Sequence, residues 1–261
     1  MSYFVQEVAD YPQHLAQAGH VEPVPRRLRG FFAGAKVFDT TRAIYLWEIS
    51  AYPAFLIPRS DVDPGVLIDE RHPHKLKFGV ACRYGLRAGG RERTEAARLY
   101  TESELPAIVD HFRFEWDALD AWLEEDEPVF VHPRSPYVRV DALRSTRRVR
   151  IELDGVVLAE SASPVMVFET GLPTRYYLNR SDVDFSLLEP SETVTACPYK
   201  GRTSGYWSAR VRAQVHSDVA WCYDFPTVAL VAIAGLIAFY GEKVDTFLDD
   251  QLLERPKTKF S

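Results

Sequence analysis

The chain has little cysteine, little methionine and no apolar run long enough to cross a bilayer. Its three cysteines, Cys82, Cys197 and Cys222, are odd in number and show no paired spacing. No disulfide framework and no C-x-x-C motif is therefore implied, and a reducing, cytoplasmic setting is expected. Residues 1–17 carry Glu7 and Asp10 and lack a basic segment followed by an apolar one, so no signal peptide is expected. The stretch 228–240 is uncharged and mostly apolar, but it falls short of the roughly 20 residues a membrane helix needs and reads as buried core. Basic residues are outnumbered: 31 Lys and Arg stand against 37 Asp and Glu, a net charge of −6. Binding to a phosphate backbone needs a clustered basic face. The arginine groups Arg26-Arg27-Arg29 and Arg144-Arg147-Arg148-Arg150 alternate with apolar residues and read as the solvent side of strands, so no nucleic-acid partner is expected.

What the chain does have is enough apolar material to fold and a repeat. With 261 residues, 46% of them hydrophobic and 26% charged, it lies in the globular range and can hold one large or two ordinary domains. Sliding the sequence against itself by 121 positions superimposes 26–63 on 147–184 without a gap. Arg26, Arg27 and Arg29 fall on Arg147, Arg148 and Arg150; Gly34 falls on Gly155; Glu48 falls on Glu169. The run Arg59-Ser60-Asp61-Val62-Asp63 recurs unchanged as Arg180-Ser181-Asp182-Val183-Asp184. Farther on, Tyr100 matches Tyr223, Phe114 matches Phe239 and Asp120 matches Asp245 after small shifts. This self-similarity implies two tandem copies of one domain. The expected organisation is an extension over 1–25, a first repeat over 26–123, a linker over 124–146, a second repeat over 147–250 and a tail over 251–261. Acidic residues and prolines from Glu124 onward suit a solvated boundary.

Local patterning predicts a mainly β fold. Val149-Arg150-Ile151-Glu152-Leu153 alternates strictly, Asp154-Gly155 is a two-residue hairpin signal, and Val156-Val157-Leu158 returns. Further short strands are expected at 164–169, 175–178, 192–197, 206–211, 215–223, 236–240 and 244–248. Helices are expected around 104–110 and 117–124, with a short helical or irregular stretch between 223 and 236. Many short strands at short intervals indicate small antiparallel sheets.

Glu169-Thr170-Gly171-Leu172-Pro173-Thr174-Arg175-Tyr176-Tyr177, followed by Cys197-Pro198-Tyr199-Lys200-Gly201 and Tyr206-Trp207-Ser208, resembles the signature of the domain of unknown function 427 family. The resemblance covers both copies, about four fifths of the chain. It implies two tandem β-tent domains, each of short antiparallel sheets, similar to methionine sulfoxide reductase B and the thalidomide-binding domain of cereblon. The family's alternative label is nucleotidyltransferase-like, but the chain has no Gly-Ser followed by paired acidic metal ligands. Nor does it have the two Cys pairs that hold zinc in related tent domains. No metal and no cofactor is expected.

Chemistry, if present, is expected where the second repeat departs from the first. Arg175 and Tyr176 replace Ala54 and Phe55, and Cys197-Pro198-Tyr199-Lys200-Gly201 has only a weak echo in Cys82-Arg83-Tyr84-Gly85. The first repeat reads as a scaffold. In the second, Cys197, Tyr199 and Lys200 are candidate catalytic residues. Glu169, Arg175, Tyr177, Trp207, Trp221 and Tyr223 are candidate ligand-binding residues of a cationic, phenolic and aromatic pocket. The alternatives are plain ones. Cys197 can be a small buried hydrophobe, Glu169 a structural partner of an arginine such as Arg180, and the tryptophans and tyrosines core. His72 and His74 form a His-x-His pair suited to a metal face or, more simply, to a polar loop. Three functions stay open: an enzyme for a small anionic or carbonyl-bearing substrate, a non-catalytic ligand-binding module, and an interaction protein.

Overall fold

A computed structural model describes residues 16–258. The chain divides between Ser135 and Pro136 into two compact units. Each unit is built from one seven-stranded and one four-stranded antiparallel sheet, the two-sheet architecture expected of a β-tent. Among the described residues, helix occurs only as short 3-10 turns. None is long and apolar enough to cross a membrane.

The two units share one topology. In the first, the large sheet runs Val21–Pro23, Ile44–Leu46, Ala54–Pro58, His111–Phe114, Arg91–Glu102, Gly79–Ala88, Leu67–Leu76. In the second it runs Val140–Arg144, Val165–Glu169, Arg175–Leu178, Ile237–Phe239, Gln214–Cys222, Gly205–Val211, Leu188–Ser191. The small sheets correspond likewise, around Leu28–Phe32 and Val149–Leu153. The hairpin predicted at Asp154-Gly155 forms, with both residues at positive φ (51° and 75°), as a type I′ turn requires.

Several local expectations change. Val21–Pro23 pairs with Ile44–Leu46 as Val140–Arg144 pairs with Val165–Glu169, so ordered strands extend both units beyond 26–123 and 147–250. Glu124 does not open a solvated linker. It ends the strand Ala121–Glu124, its carboxylate is buried, and Arg26 and Arg134 (2.6 Å) neutralise it. The helix expected over 117–124 is a 3-10 turn, Trp116–Ala118, followed by that strand, because Trp122 must face inward to pack on Phe38 and Phe114. The helix expected over 104–110 is a single turn, Pro106–Ile108. Strand pairing sets Ala121 opposite Phe31 where Asp245 lies opposite Glu152, so Ala121, not Asp120, corresponds to Asp245. The strand expected over 192–197 shrinks to Ala196–Cys197 in a two-residue hairpin with Gly201–Arg202.

Each unit has its main core between its two sheets and a second cluster on the far face of the large sheet. In the second unit the inner core joins Ile151 and Leu158 from the small sheet to Leu178, Val219 and Ile237 from the large one. The far face carries Val165, Val167, Tyr177, Tyr206, Trp221 and Tyr223. In the first unit the far face holds Leu46, Leu56, Ala81, Tyr100 and Ile108. Side chains alternate across a strand, so these two far faces are equivalent surfaces filled with different chemistry.

Candidate functional site

The far face of the second unit is where most predicted residues meet. Arg175 and Tyr177 lie two apart on one strand and so share this face. Across the sheet, Tyr177 is opposite Ala238, Ala238 is opposite Trp221, and Trp221 is opposite Tyr206. The same rung in the first unit reads Leu56, Arg113, Arg98 and Arg83. A ladder of three arginines in one repeat is thus an alanine and two aromatics in the other. Tyr100 and Tyr223 occupy equivalent positions, as the sequence match expects.

Over this face lies the turn Pro198-Tyr199-Lys200, closed by the Cys197 and Gly201 pairing. Gly201 sits at φ 102°, a conformation that a side chain disfavours. The turn is tied down from the other side: Thr227 donates its hydroxyl to the Tyr199 carbonyl (2.6 Å) and its N–H to the Lys200 carbonyl (3.1 Å). So held, Lys200 directs its ammonium onto the Glu169 carboxylate, with both side chains under 10% exposed, and lies 4.0 Å from Cys197 Sγ. Cys197 itself is half-buried.

Arg175 is the second buried cation. Its guanidinium forms two parallel hydrogen bonds of 2.6 Å to Glu242, whose side chain is fully buried. Thr258 donates a third to the same carboxylate (2.6 Å). The guanidinium also lies 5.8 Å from the Trp221 ring and 5.6 Å from the Tyr240 ring, within cation–π range. Next to it runs a hydroxyl chain from Thr195 to Tyr206 (3.0 Å) to Tyr240 (2.8 Å). Burial raises the pKa of Tyr177, Tyr223 and Tyr240 far above the ordinary tyrosine value. The Tyr177 hydroxyl is wholly buried and makes no hydrogen bond of regular geometry.

Three expectations are corrected here. Glu169 does not pair with Arg180. It pairs with Lys200, and Arg180 instead meets the Gly235 carbonyl (3.1 Å) and Asp224 (3.4 Å). Trp207 does not join the cluster: opposite Ala220 and next in sequence to Tyr206, it points to the inner face, where it packs on Phe185 and under Arg180. The echo between Cys82 and Cys197 dissolves, because Cys82 pairs with Leu99 as Gly205 pairs with Cys222. The turn bearing Cys197 has no counterpart on the continuous first-repeat hairpin of Leu67–Leu76 and Gly79–Ala88. The His72 and His74 rings lie 6.3 Å apart on that hairpin. Among the described residues no group of three or more His, Cys, Asp or Glu is arranged to hold a metal.

Sequence reasoning missed Glu242, Tyr206 and Tyr240. Glu242 lies 67 positions from Arg175, with no local pattern to join them. Its one signal was internal: Asp117 occupies the matching place after Phe114, so both repeats keep a carboxylate there.

Thiol reactivity gives a direct check. Burial pushes the Cys222 thiol up to about 11, whereas Cys197 is half-buried beside Lys200. Alkylation with iodoacetamide at pH 8, followed by mass spectrometry, is expected to label Cys197 well before Cys222. Lys200→Met is expected to slow the Cys197 reaction several-fold. Equal rates at the two thiols would remove the distinction.

The fold and site define a class: a tandem all-β protein whose repeats fill one equivalent face with different chemistry, buried Lys200 and Arg175 ion pairs beside aromatics in the second and an arginine ladder beside Ala54 and Leu56 in the first. A family model described as domain of unknown function (DUF427) matches residues 20–125 and 141–250, and the chain belongs to that family. No curated protein matches it.

Proposed function

We propose that the chain is a small-molecule-binding protein whose ligand site lies on the second unit at Cys197, Tyr199, Lys200 and Arg175. The observation that carries this reading is the comparison between repeats. Buried ion pairs are a poor source of stability, since desolvating two charges can cost as much as their attraction returns. The first repeat builds the same sheet with Ala54 and Leu56 where the second has Arg175 and Tyr177. The fold therefore does not need them, and a ligand gives them a use.

The favoured ligand carries a carbonyl group. Lys200 has three donors; the Glu169 carboxylate takes one and another faces Cys197 Sγ. A carbonyl oxygen can accept the third without setting a second negative charge beside the Glu169 carboxylate, as an anion would. In this reading Lys200 and Arg175 supply positive charge, Glu169 orients Lys200, and Cys197 or Tyr199 is the candidate nucleophile or acid. A reducing compartment fits the three free thiols. A nucleic-acid partner is disfavoured because Arg27, Arg29, Arg147 and Arg148 already pair with carboxylates.

The test is a thermal-shift screen of carbonyl compounds and carboxylates on wild type, Cys197→Ser and Lys200→Met, since a ligand that binds the native state raises its melting temperature. A shift lost in Lys200→Met places the ligand at this turn, and turnover lost in Cys197→Ser while the shift survives marks catalysis. Absence of any shift for wild type would count against the site. One observation favours a non-catalytic interaction module instead: Phe225, Val228 and Val231, close in sequence to the Thr227 that braces the turn, are 89%, 85% and 69% exposed. Concentration-dependent self-association in sedimentation, removed by Phe225→Ser, would support that second reading.

A further inference from the structure

Both units contain a cavity at the same place in the fold. In the second unit it measures about 290 Å³ and is lined by Thr174, Arg175, Tyr176, Phe239, Gly241 and Thr246, among others. In the first it measures about 480 Å³. Strand registers align its lining residues Ala54, Phe55, Phe114 and Trp122 with Arg175, Tyr176, Phe239 and Thr246, and Pro53 and Trp116 flank those strands as Thr174 and Gly241 do. The first repeat, which sequence alone reads as scaffold, has the larger cavity because Ala54 leaves open the space that the Arg175 side chain occupies in its sibling.

We infer that the first unit binds an uncharged, planar heteroaromatic molecule in this cavity. Its lining is aromatic in a way the second unit's is not. Trp116 and Trp122 stack in parallel, centroids 4.8 Å apart at 4°, and Tyr52 stacks on His132 at 4.0 Å and 15°. Each pair covers its own inner faces, so the faces left to a ligand are the outer ones of the partly exposed Trp116 and Tyr52, and flat faces favour flat ligands through offset stacking. The charged groups of the lining are matched among themselves. Arg113 is held between Glu48 and Glu115, and Glu115 also meets Arg98 at 2.7 Å. At the rim, exposed Arg93 and Asp117 are of opposite sign. A charged ligand would enter without an uncompensated partner and lose its hydration. A neutral heterocycle with one donor and one acceptor loses little and finds carboxylate oxygens and guanidinium N–H groups at the cavity wall. The site is independent of the Cys197 turn.

The test is calorimetric titration of the full chain with quinolin-2-one and with its fully hydrogenated lactam, which keeps the polar edge and loses planarity. Quinolin-2-one is expected to bind and the saturated lactam to bind at least tenfold more weakly. Ala54→Arg, which installs the second repeat's residue beside Asp117, is expected to weaken binding at least tenfold by filling the cavity. Tyr52→Ala, a change at a partly exposed ring that leaves the core intact, is expected to weaken it several-fold. Equal binding of the two compounds, binding indifferent to both substitutions, or no heat from wild type at millimolar ligand would overturn the inference.

Discussion

Arg175→Ala is expected to destabilise the protein by about 3–5 kcal/mol, the cost of leaving one member of a buried ion pair without its partner. Glu242 is the group left behind. Its side chain is wholly buried and accepts both Arg175 hydrogen bonds, so truncation strands a carboxylate that keeps the Thr258 hydroxyl but no cation among its hydrogen-bond donors in the described residues. The double variant Arg175→Ala with Glu242→Leu is expected to recover most of the loss, since the first repeat holds the same sheet with alanine at position 54. The pH dependence carries a sign that separates this account from simple loss of packing. Burial alone would raise the Glu242 pKa; the Arg175 hydrogen bonds and charge, with the Thr258 hydroxyl, override it and hold the carboxyl below its ordinary value. A carboxyl depressed in the folded state stabilises it above the unfolded pKa, and that stabilisation fades as pH falls through the folded value. In Arg175→Ala the Thr258 and backbone hydrogen bonds alone oppose burial, the carboxyl rises, and acidification relieves the variant by protonating it. Urea denaturation from pH 7 to pH 4 is therefore expected to show the gap between wild type and Arg175→Ala narrowing. A constant gap would mean that Glu242 is not the source of the loss.

The internal repeat made much of this legible. Register follows from alternation, and alternation from sequence, so matching Arg26-Arg27-Arg29 to Arg147-Arg148-Arg150 put equivalent strands in equivalent places. Tyr100 and Tyr223 do end at the same point on the far face. Arg175, Tyr177, Lys200, Cys197 and Glu169 were legible as a group because each is absent from, or altered in, the first repeat or adjoins a residue that is. What was not legible is which charge meets which. Lys200 and Arg180 are both cations near Glu169 in the chain's logic, and only the turn anchored by Thr227 decides for Lys200. Glu242 comes from a distant loop. Trp207 was misplaced because one residue of register decides which side of a sheet a side chain faces, and Tyr206 and Trp207 divide between the two faces. The helix read over 117–124 failed for a packing reason, since propensity yields where Trp122 has to reach the core. The first-repeat cavity was invisible because it depends on an absence, the small Ala54 side chain, which no motif announces.

Replacing Gly30 by isoleucine is expected to cost the first unit about 3 kcal/mol or more, the upper end for overpacking a filled core. A Cβ added at Gly30 would lie 2.3 Å from Phe38 Cε1 and 2.8 Å from a Leu119 methyl, distances no rotamer change can absorb while Phe38 stays packed on Trp122 and Phe114. The second repeat shows how the clash is relieved. Gly30 is paired across the small sheet with Phe38, and at the equivalent rung Ile151 is paired with Ala159. One repeat fills the space from one strand, the other from its neighbour. The volume is shared, so the two sites are coupled and their effects should not add. Gly30→Ile with Phe38→Ala is accordingly expected to be more stable than either single variant. Phe38→Ala alone would open a cavity costing about 3–5 kcal/mol, and the isoleucine refills part of it. Calorimetric unfolding of the four proteins completes the cycle. Additive losses in the double variant would show that the two rungs are not interchangeable solutions to one packing problem, and would remove the basis for treating each repeat as a control on the other.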